Sequence, residues 1–228
     1  MQLKKILSYI HINYVQLFNI VEKYQPTYNP QKYKIFGNNF TKRETEDRVK
    51  FIEKYIPWTK VKSLLDIGSL FGYFVFRLSE NRNIIAHGAD ISFEYIAYSR
   101  AIANLNEIDK TSFMTMELNS KSAKMLPKYN LILFLNVFHH IVHFQGFESA
   151  DKIMRSLVSS CDYFIFETGT YTEKNQYWTK DLLFMGSNTN KWIETYLGEL
   201  GLRIISVKKF SNHLNNVKRS VYVCQKII

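Results

Sequence analysis

Residues Ser63 to Arg77 read S-L-L-D-I-G-S-L-F-G-Y-F-V-F-R and constrain the chain more than any other stretch. A short apolar run (Leu64, Leu65, Ile67) carries Asp66 near its end. Gly68 and Gly72 follow at four-residue spacing, and from Tyr73 to Leu78 the pattern suits a helix. Physically this is a buried strand, a tight turn whose backbone approaches a ligand closely, and a helix N-terminus. Such a turn binds the polar part of a nucleotide-like cofactor.

Beyond this stretch, strand and helix alternate. Strands are expected at Ser63–Ile67, Ile84–Asp90, Ser112–Leu118, Leu131–Asn136 and Tyr163–Glu167, and helices at Gly72–Asn81, Phe93–Leu105, Phe147–Ser159 and Lys191–Leu200. Apolar strands alternating with helices predict a parallel sheet covered on both faces. The tail differs, because Arg203–Lys208 and Ser220–Gln225 are strand-like with only a polar loop between them. They predict a terminal antiparallel hairpin and a mostly parallel seven-stranded sheet. The 228 residues suit one larger α/β domain with a small appendage.

The appendage is N-terminal. Leu3, Ile6, Leu7, Ile10, Tyr14, Leu17, Phe18 and Val21 recur at three- and four-residue steps, predicting an amphipathic helix over residues 2–24. It either packs over the domain or lies on a membrane surface or partner, with Lys4, Lys5 and Lys23 at its edges. Pro26 and Pro30 break the pattern. Thr41 to Glu44 (T-x-x-E) then reads as a capping box opening a helix that runs to about Tyr55. Residues 1–59 are therefore expected to form a helical lid and 60–228 the cofactor-binding domain.

Lys and Arg number 30 against 20 Asp and Glu, a formal charge of +10. This fits either a basic soluble protein or a polyanionic partner such as nucleic acid, a phosphorylated glycan or an anionic membrane. Cys161 and Cys224 are far apart, with neither metal spacing nor a disulfide framework, which points to a reduced, cytoplasmic protein. No run of about 18 apolar residues exists. The N-terminal apolar stretch is interrupted by His11, Asn13 and Gln16, unlike a secretory signal.

The glycine loop selects the cofactor. A dinucleotide site would carry G-x-G-x-x-G, whereas this loop is G-S-L-F-G with Asp66 inside the preceding strand. A carboxylate there repels a pyrophosphate but suits the cationic groups of S-adenosylmethionine. Gly68, Ser69 and Gly72 then form the close-approach turn. Asp90, ending the second strand ahead of Ile91, is placed to accept from both ribose hydroxyls, and a helix-cap role is compatible with this. Glu117 and Leu118, closing the third strand, are the polar and apolar residues expected to flank an adenine, although a surface strand end explains Glu117 as well.

The second informative stretch is residues 128–143, K-Y-N-L-I-L-F-L-N-V-F-H-H-I-V-H. Asn136 to His140 lie past the carboxyl end of the fourth strand, where open α/β sheets place their ligands. His139, His140 and His143 lack further ligands at metal spacing, so the expectation is no metal. A general base, a substrate hydrogen-bonder or a packed helix-start histidine fit better.

L-D-I-G-S-L-F-G-Y-F with A-D-I-S resembles the class I S-adenosylmethionine-dependent methyltransferases, with their Rossmann-like fold, from about Lys60 to the C-terminus. N-V-F-H-H-I-V-H-F-Q-G-F, then F-I-F-E-T-G and Tyr177–Trp178, resembles one group more narrowly: the methyltransferase domain of bifunctional methyltransferase–kinases that cap bacterial O-antigen polysaccharide. In that group the kinase phosphorylates the terminal sugar and the methyltransferase methylates the phosphate. Y-K-I-F-G at 33–37 and R-V-K-F-I at 48–52 extend the likeness, which implies that Tyr33 and Arg48 contact the cofactor, Arg48 by donating to the cofactor's carboxylate. Two departures stand out in the loop: Leu70 where many class I enzymes have a second glycine, and Ser69 where many have Cys. No kinase domain lies within these residues, so the resemblance implies a separate kinase or glycosyltransferase partner, or an acceptor other than phosphate.

Methyl transfer from a sulfonium needs the acceptor oxygen held in line. A phosphate acceptor needs a cationic cradle, with His140, His143, Lys208, Lys209 and Arg219 as candidates. A sugar hydroxyl needs a base, with His140, its neighbour His139, and Glu167 at the end of the fifth strand as candidates. For Glu167 a structural contact is an equal reading. The runner-up function is RNA methylation, drawing on charge and exposed aromatics. A third is a binding module that retains the cofactor loop without turnover.

Overall fold

A computed structural model describes Tyr28 and residues 44–173, 176–212 and 217–227. The expected helix over 2–24, Tyr33 and Thr41 lie outside the described residues. Among the described residues seven strands form one sheet: β1 (Ser63–Ile67), β2 (Ile85–Asp90), β3 (Thr111–Thr115), β4 (Tyr129–Leu135), β5 (Cys161–Glu167), β6 (Leu202–Ser211) and β7 (Lys218–Lys226). Their spatial order is β3-β2-β1-β4-β5-β7-β6. β1 to β5 are parallel, and β7 inserts antiparallel between β5 and β6. This is the mostly parallel sheet with a terminal hairpin that the alternating pattern predicts. After β3 the chain returns to the other side of β1, so the topological switch lies between β1 and β4, where such sheets bind ligands.

The helices are α1 (Thr45–Tyr55), α2 (Tyr73–Ser79), α3 (Phe93–Leu105), α4 (Ser120–Met125), α5 (Phe138–Gln145), α6 (Phe147–Ser159) and α7 (Thr189–Glu199). Short 3-10 helices occupy Trp58–Lys60 and Thr179–Met185. Central strands bury side chains on both faces. Leu131, Leu133 and Ile165 join the core beneath α1, α2 and α3, whereas Ile132, Phe134, Phe164 and Phe166 join that beneath α5, α6 and α7. Each such burial is worth roughly 1.5–3 kcal/mol. Val49 and Ile52 of α1 belong to the same core cluster as Leu64 of β1 and Val75 of α2, although a division at residue 59 assigns α1 to the lid.

Four local expectations need correction. β3 ends at Thr115, so Glu117 and Leu118 lie beyond it, in the segment leading to α4. That helix was not expected; Asn119 caps it, accepting from Lys121 and Ser122 N–H while the Ser122 hydroxyl accepts from Asn119 N–H. Residues 138–145 are a helix of two turns, α5, rather than only a helix start. Glu44 is not the third residue of a capped helix but its N-cap, with φ at 51°, and its carboxylate accepts the Ser211 N–H at 2.7 Å. A contact 167 residues away thus prevails over a local capping pattern. Among the described residues no helix is long and apolar enough to cross a membrane.

Candidate functional site

Register brings the strand ends to one rim. Ile67 pairs with Ala89 and Phe134, and Leu135 pairs with Glu167. Asp66, Asp90, Asn136 and Glu167 consequently border one cavity of about 870 Å³, which falls within the usual ~300–1,000 Å³ of small-molecule sites.

The β1–β2 half is made mostly from backbone. Gly68 and Ser69 both donate their N–H to the Ala89 carbonyl, at 2.8 and 3.0 Å, locking the loop onto β2. Gly68 has φ +75°, and a Cβ there would meet Val137 Cγ2 at 2.4 Å. Leu70 follows in the left-handed region at φ 48°, where glycine is at ease and leucine is strained. Its N–H donates to Asp90 Oδ2 at 2.9 Å, while Ser92 N–H donates to Asp90 Oδ1 at 3.0 Å. Asp90 therefore holds the loop and the start of α3, and each of its oxygens keeps a lone pair for a further donor. Burial raises its pKa despite these backbone donors.

Asp66 is the exceptional group. It is 2% exposed, and its Oδ2 has no hydrogen-bond partner among the described residues. Burial, and then the charge of Asp90, push its carboxyl up to about 8. A buried acceptor left unmatched beside a cavity fits a ligand that brings a donor or positive charge. Ile91, Glu117 and Leu118 line the same half. Ser69 and Gly72 do not line it: Ser69 is fully buried under the loop, and Gly72, at φ +74°, leaves room for Phe113.

The β4–β5–β7 half is made from side chains. Arg48 of α1 grips Glu167 through Nε (3.0 Å) and Nη2 (2.7 Å), both residues nearly or fully buried. Arg219 of β7 grips Glu173 in the same bidentate way, at 2.8 and 2.6 Å, and donates through Nη1 to Asn136 Oδ1 at 2.6 Å. Asn136 itself is left-handed at φ 63° and donates its N–H to the Glu167 carbonyl. The Glu173 clamp holds the segment after β5 so that Trp178, itself buried, packs on Gly169 and on His139, with ring centroids 4.4 Å apart.

His139 and His140 both line this half. His139 Nδ1 accepts the Gly169 N–H at 3.0 Å, and His140 Nδ1 pairs with Tyr177 Oη at 2.7 Å. Burial first, then the charges of Arg219 and His143, push His140 down to about 4. His143 pairs instead with Asp181 at 2.6 Å and does not line the cavity; nor do Lys208 and Lys209, exposed on β6. Among the described residues no group of three His, Cys, Asp or Glu could hold a metal ion. Glu173 had no sequence signal, because its partner Arg219 is 46 residues away.

No family model matches the chain. It is 28% identical over 117 residues to the O-antigen chain terminator bifunctional methyltransferase/kinase WbdD of Escherichia coli, a stretch covering 51% of this chain and 16% of WbdD. A crystal structure of WbdD superposes with a TM-score of 0.75 at 21% identity, over 94% of this chain and 46% of that one. The chain thus spans under half of that structure and a small part of the curated relative. The magnesium protoporphyrin IX methyltransferase ChlM from Synechocystis PCC 6803, solved with bound SAM, matches at TM-score 0.58 and 17% identity, over 79% of this chain and 77% of that one. The [4+2]-cyclase SpnF matches at 0.62 and 10%, over 99% and 96%. The fold is the Rossmann-like fold of class I methyltransferases, and the chain resembles the methyltransferase domain of WbdD.

Proposed function

We propose that the chain is an S-adenosylmethionine-dependent methyltransferase that moves a methyl group to an oxygen, phosphate or hydroxyl, of a glycan or related small acceptor. The observation that carries this reading is the buried, unmatched Asp66 carboxyl group, which a cationic ligand would favour in its charged form, in a cavity it shares with Asp90 and the left-handed Gly68–Leu70 turn. A dinucleotide would bring two phosphates to these carboxylates, whereas a sulfonium cofactor brings positive charge and hydroxyl donors. The comparison with WbdD supports a glycan-related acceptor, and that with SAM-bound ChlM supports the cofactor.

Asp66, Gly68, Asp90, Ile91, Glu117, Leu118 and Asn136 would hold the cofactor, with Arg48 at the same rim and Tyr33 contributing from outside the described residues. The cofactor supplies the methyl group; the chain binds it, orients the acceptor oxygen and excludes water. Ser69 and Gly72 act beneath the loop by setting its backbone. Of the three groups proposed at the reacting end, Glu167 is bound bidentately by Arg48 and shapes the cavity wall. His139 and His140 are the groups that meet the acceptor. A kinase or glycosyltransferase activity would prepare that acceptor in the cytoplasm, and residues 2–24 would supply any contact with a membrane surface.

Replacing Asp90 by Ala should weaken S-adenosylmethionine binding about tenfold or more, since hydrogen bonds to a charged group contribute ~1.5–3 kcal/mol. Unchanged affinity by calorimetry would exclude the cofactor assignment. Transfer of labelled methyl to phosphorylated glycans, but not to total RNA, would distinguish the acceptor class.

A further inference from the structure

His139 and His140 stand side by side, with ring centroids 4.1 Å apart, and each has Nδ1 engaged by a different residue of the segment after β5. For His139 the Gly169 backbone N–H donates to Nδ1 at 3.0 Å, and the Thr168 hydroxyl stands 3.2 Å from the same nitrogen. A backbone N–H can only donate, so Nδ1 carries the lone pair and the ring hydrogen of the neutral imidazole sits on Nε2. For His140 the partner is the Tyr177 hydroxyl, and the two rings stack at 5.9 Å between centroids. A phenol O–H is a better donor than a neutral imidazole N–H, and the imidazole lone pair is a better acceptor than phenol oxygen. The bond therefore runs O–H···N, and the His140 hydrogen also sits on Nε2.

We propose that Tyr177 is a positioning residue that holds His140 as its neutral Nε2–H tautomer, matching the tautomer the Gly169 N–H imposes on His139, so that the pair meets the acceptor as two N–H donors and neither ring is a base. This rests on the methyltransferase reading above, which places the acceptor oxygen at this end of the cavity.

The surroundings work in the same direction. Burial first, and then Arg219 and His143, disfavour a charged His140 ring and leave it neutral at pH 7. The nearby carboxylates are already engaged: Glu173 by Arg219, Asp181 by His143 and Glu167 by Arg48. None of these is paired with His140 in a way that would favour imidazolium. Two N–H donors can hold the lone pairs of an acceptor oxygen in line with the methyl group, but they cannot take a proton from it.

The test reads the tautomers directly. The full chain is labelled with ¹⁵N-histidine, and long-range ¹H–¹⁵N correlations are recorded at pH 7 for the parent and for Tyr177→Phe. In the parent, both His139 and His140 should show an unprotonated Nδ1 and a protonated Nε2. In Tyr177→Phe, His140 should gain a population protonated at Nδ1, while His139 keeps its pattern. Tyr177 is 58% exposed, so the variant should keep the fold. An Nδ1–H signal for His140 in the parent, or an unchanged His140 in the variant, overturns the proposal. Because neither cofactor nor acceptor is present, this outcome is independent of the Asp90→Ala calorimetry that tests the methyltransferase reading.

Discussion

The two halves of the cavity are built by different means. On the β1–β2 side, residues 66–72 and Asp90 set the site with local backbone geometry: two N–H groups on one carbonyl, a left-handed turn, and a carboxylate that pins it. On the β4–β5–β7 side, side chains from α1, β5, the segment after β5, α5 and β7 meet in two buried ion pairs and a pair of histidines. A site made of one segment tolerates changes elsewhere. A site made of long-range pairs fails when either partner is lost.

Glu173→Ala should sharpen that contrast most. It leaves Arg219, 4% exposed, buried without its counter-charge, which costs about 3–5 kcal/mol in a buried pair. Denaturant unfolding measures this loss, and S-adenosylmethionine affinity should fall less than in Asp90→Ala. A larger effect on the cofactor than on stability would show that the halves are not separate.

Asp66→Asn probes the other half through pH. The native Asp66 carboxyl, near 8, lies above the usual carboxylate range, so between about pH 4 and pH 8 the folded chain holds a proton that the unfolded chain releases. This group therefore lowers stability as pH rises through that window, with no further loss above it. Asn cannot ionise, so the variant should be more stable than the parent at pH 8 and nearly equal to it at pH 4, while binding the cofactor more weakly. Thermal melts at the two pH values check the sign; a parent that gains on the variant with rising pH would refute the buried-carboxyl account.

Leu70→Gly should have the smallest effect. Glycine relieves a left-handed leucine, but it adds unfolded-chain freedom and removes a side chain packed against the core, terms of about 1 kcal/mol each that oppose one another. A net change below ~1 kcal/mol by denaturant titration is expected.

Legibility in sequence followed the same division. The strand, the turn and Asp90 are contiguous or one strand apart, and their periodicity and glycine spacing report backbone demands directly. α4 and α5 carry little sequence signal: α4 has only Ala123 and Met125 as apolar residues, and in α5 His139, His140 and His143 interrupt the apolar period. Ser69 and Gly72 looked like ligand contacts because small residues in such a loop serve either close approach or packing. Phe113 and Gly88, on neighbouring strands, crowd against Gly72 and Ser69 beneath the loop, a packing that sequence order does not reveal. Glu173 sits in a T-G-T-Y-T-E run with no signal of its own.

What the sequence by itself determined was the sheet, its terminal hairpin and the acidic glycine turn, because hydrophobic period and positive-φ residues are local properties. What only the tertiary structure decided was the state of the side chains. Asp66 is unmatched because no donor reaches its buried Oδ2, Glu167 is held because α1 brings Arg48 across 119 residues, and the histidine hydrogens are placed by Gly169 and Tyr177. Protonation and ion pairing depend on burial and on neighbours in space, and sequence order records neither.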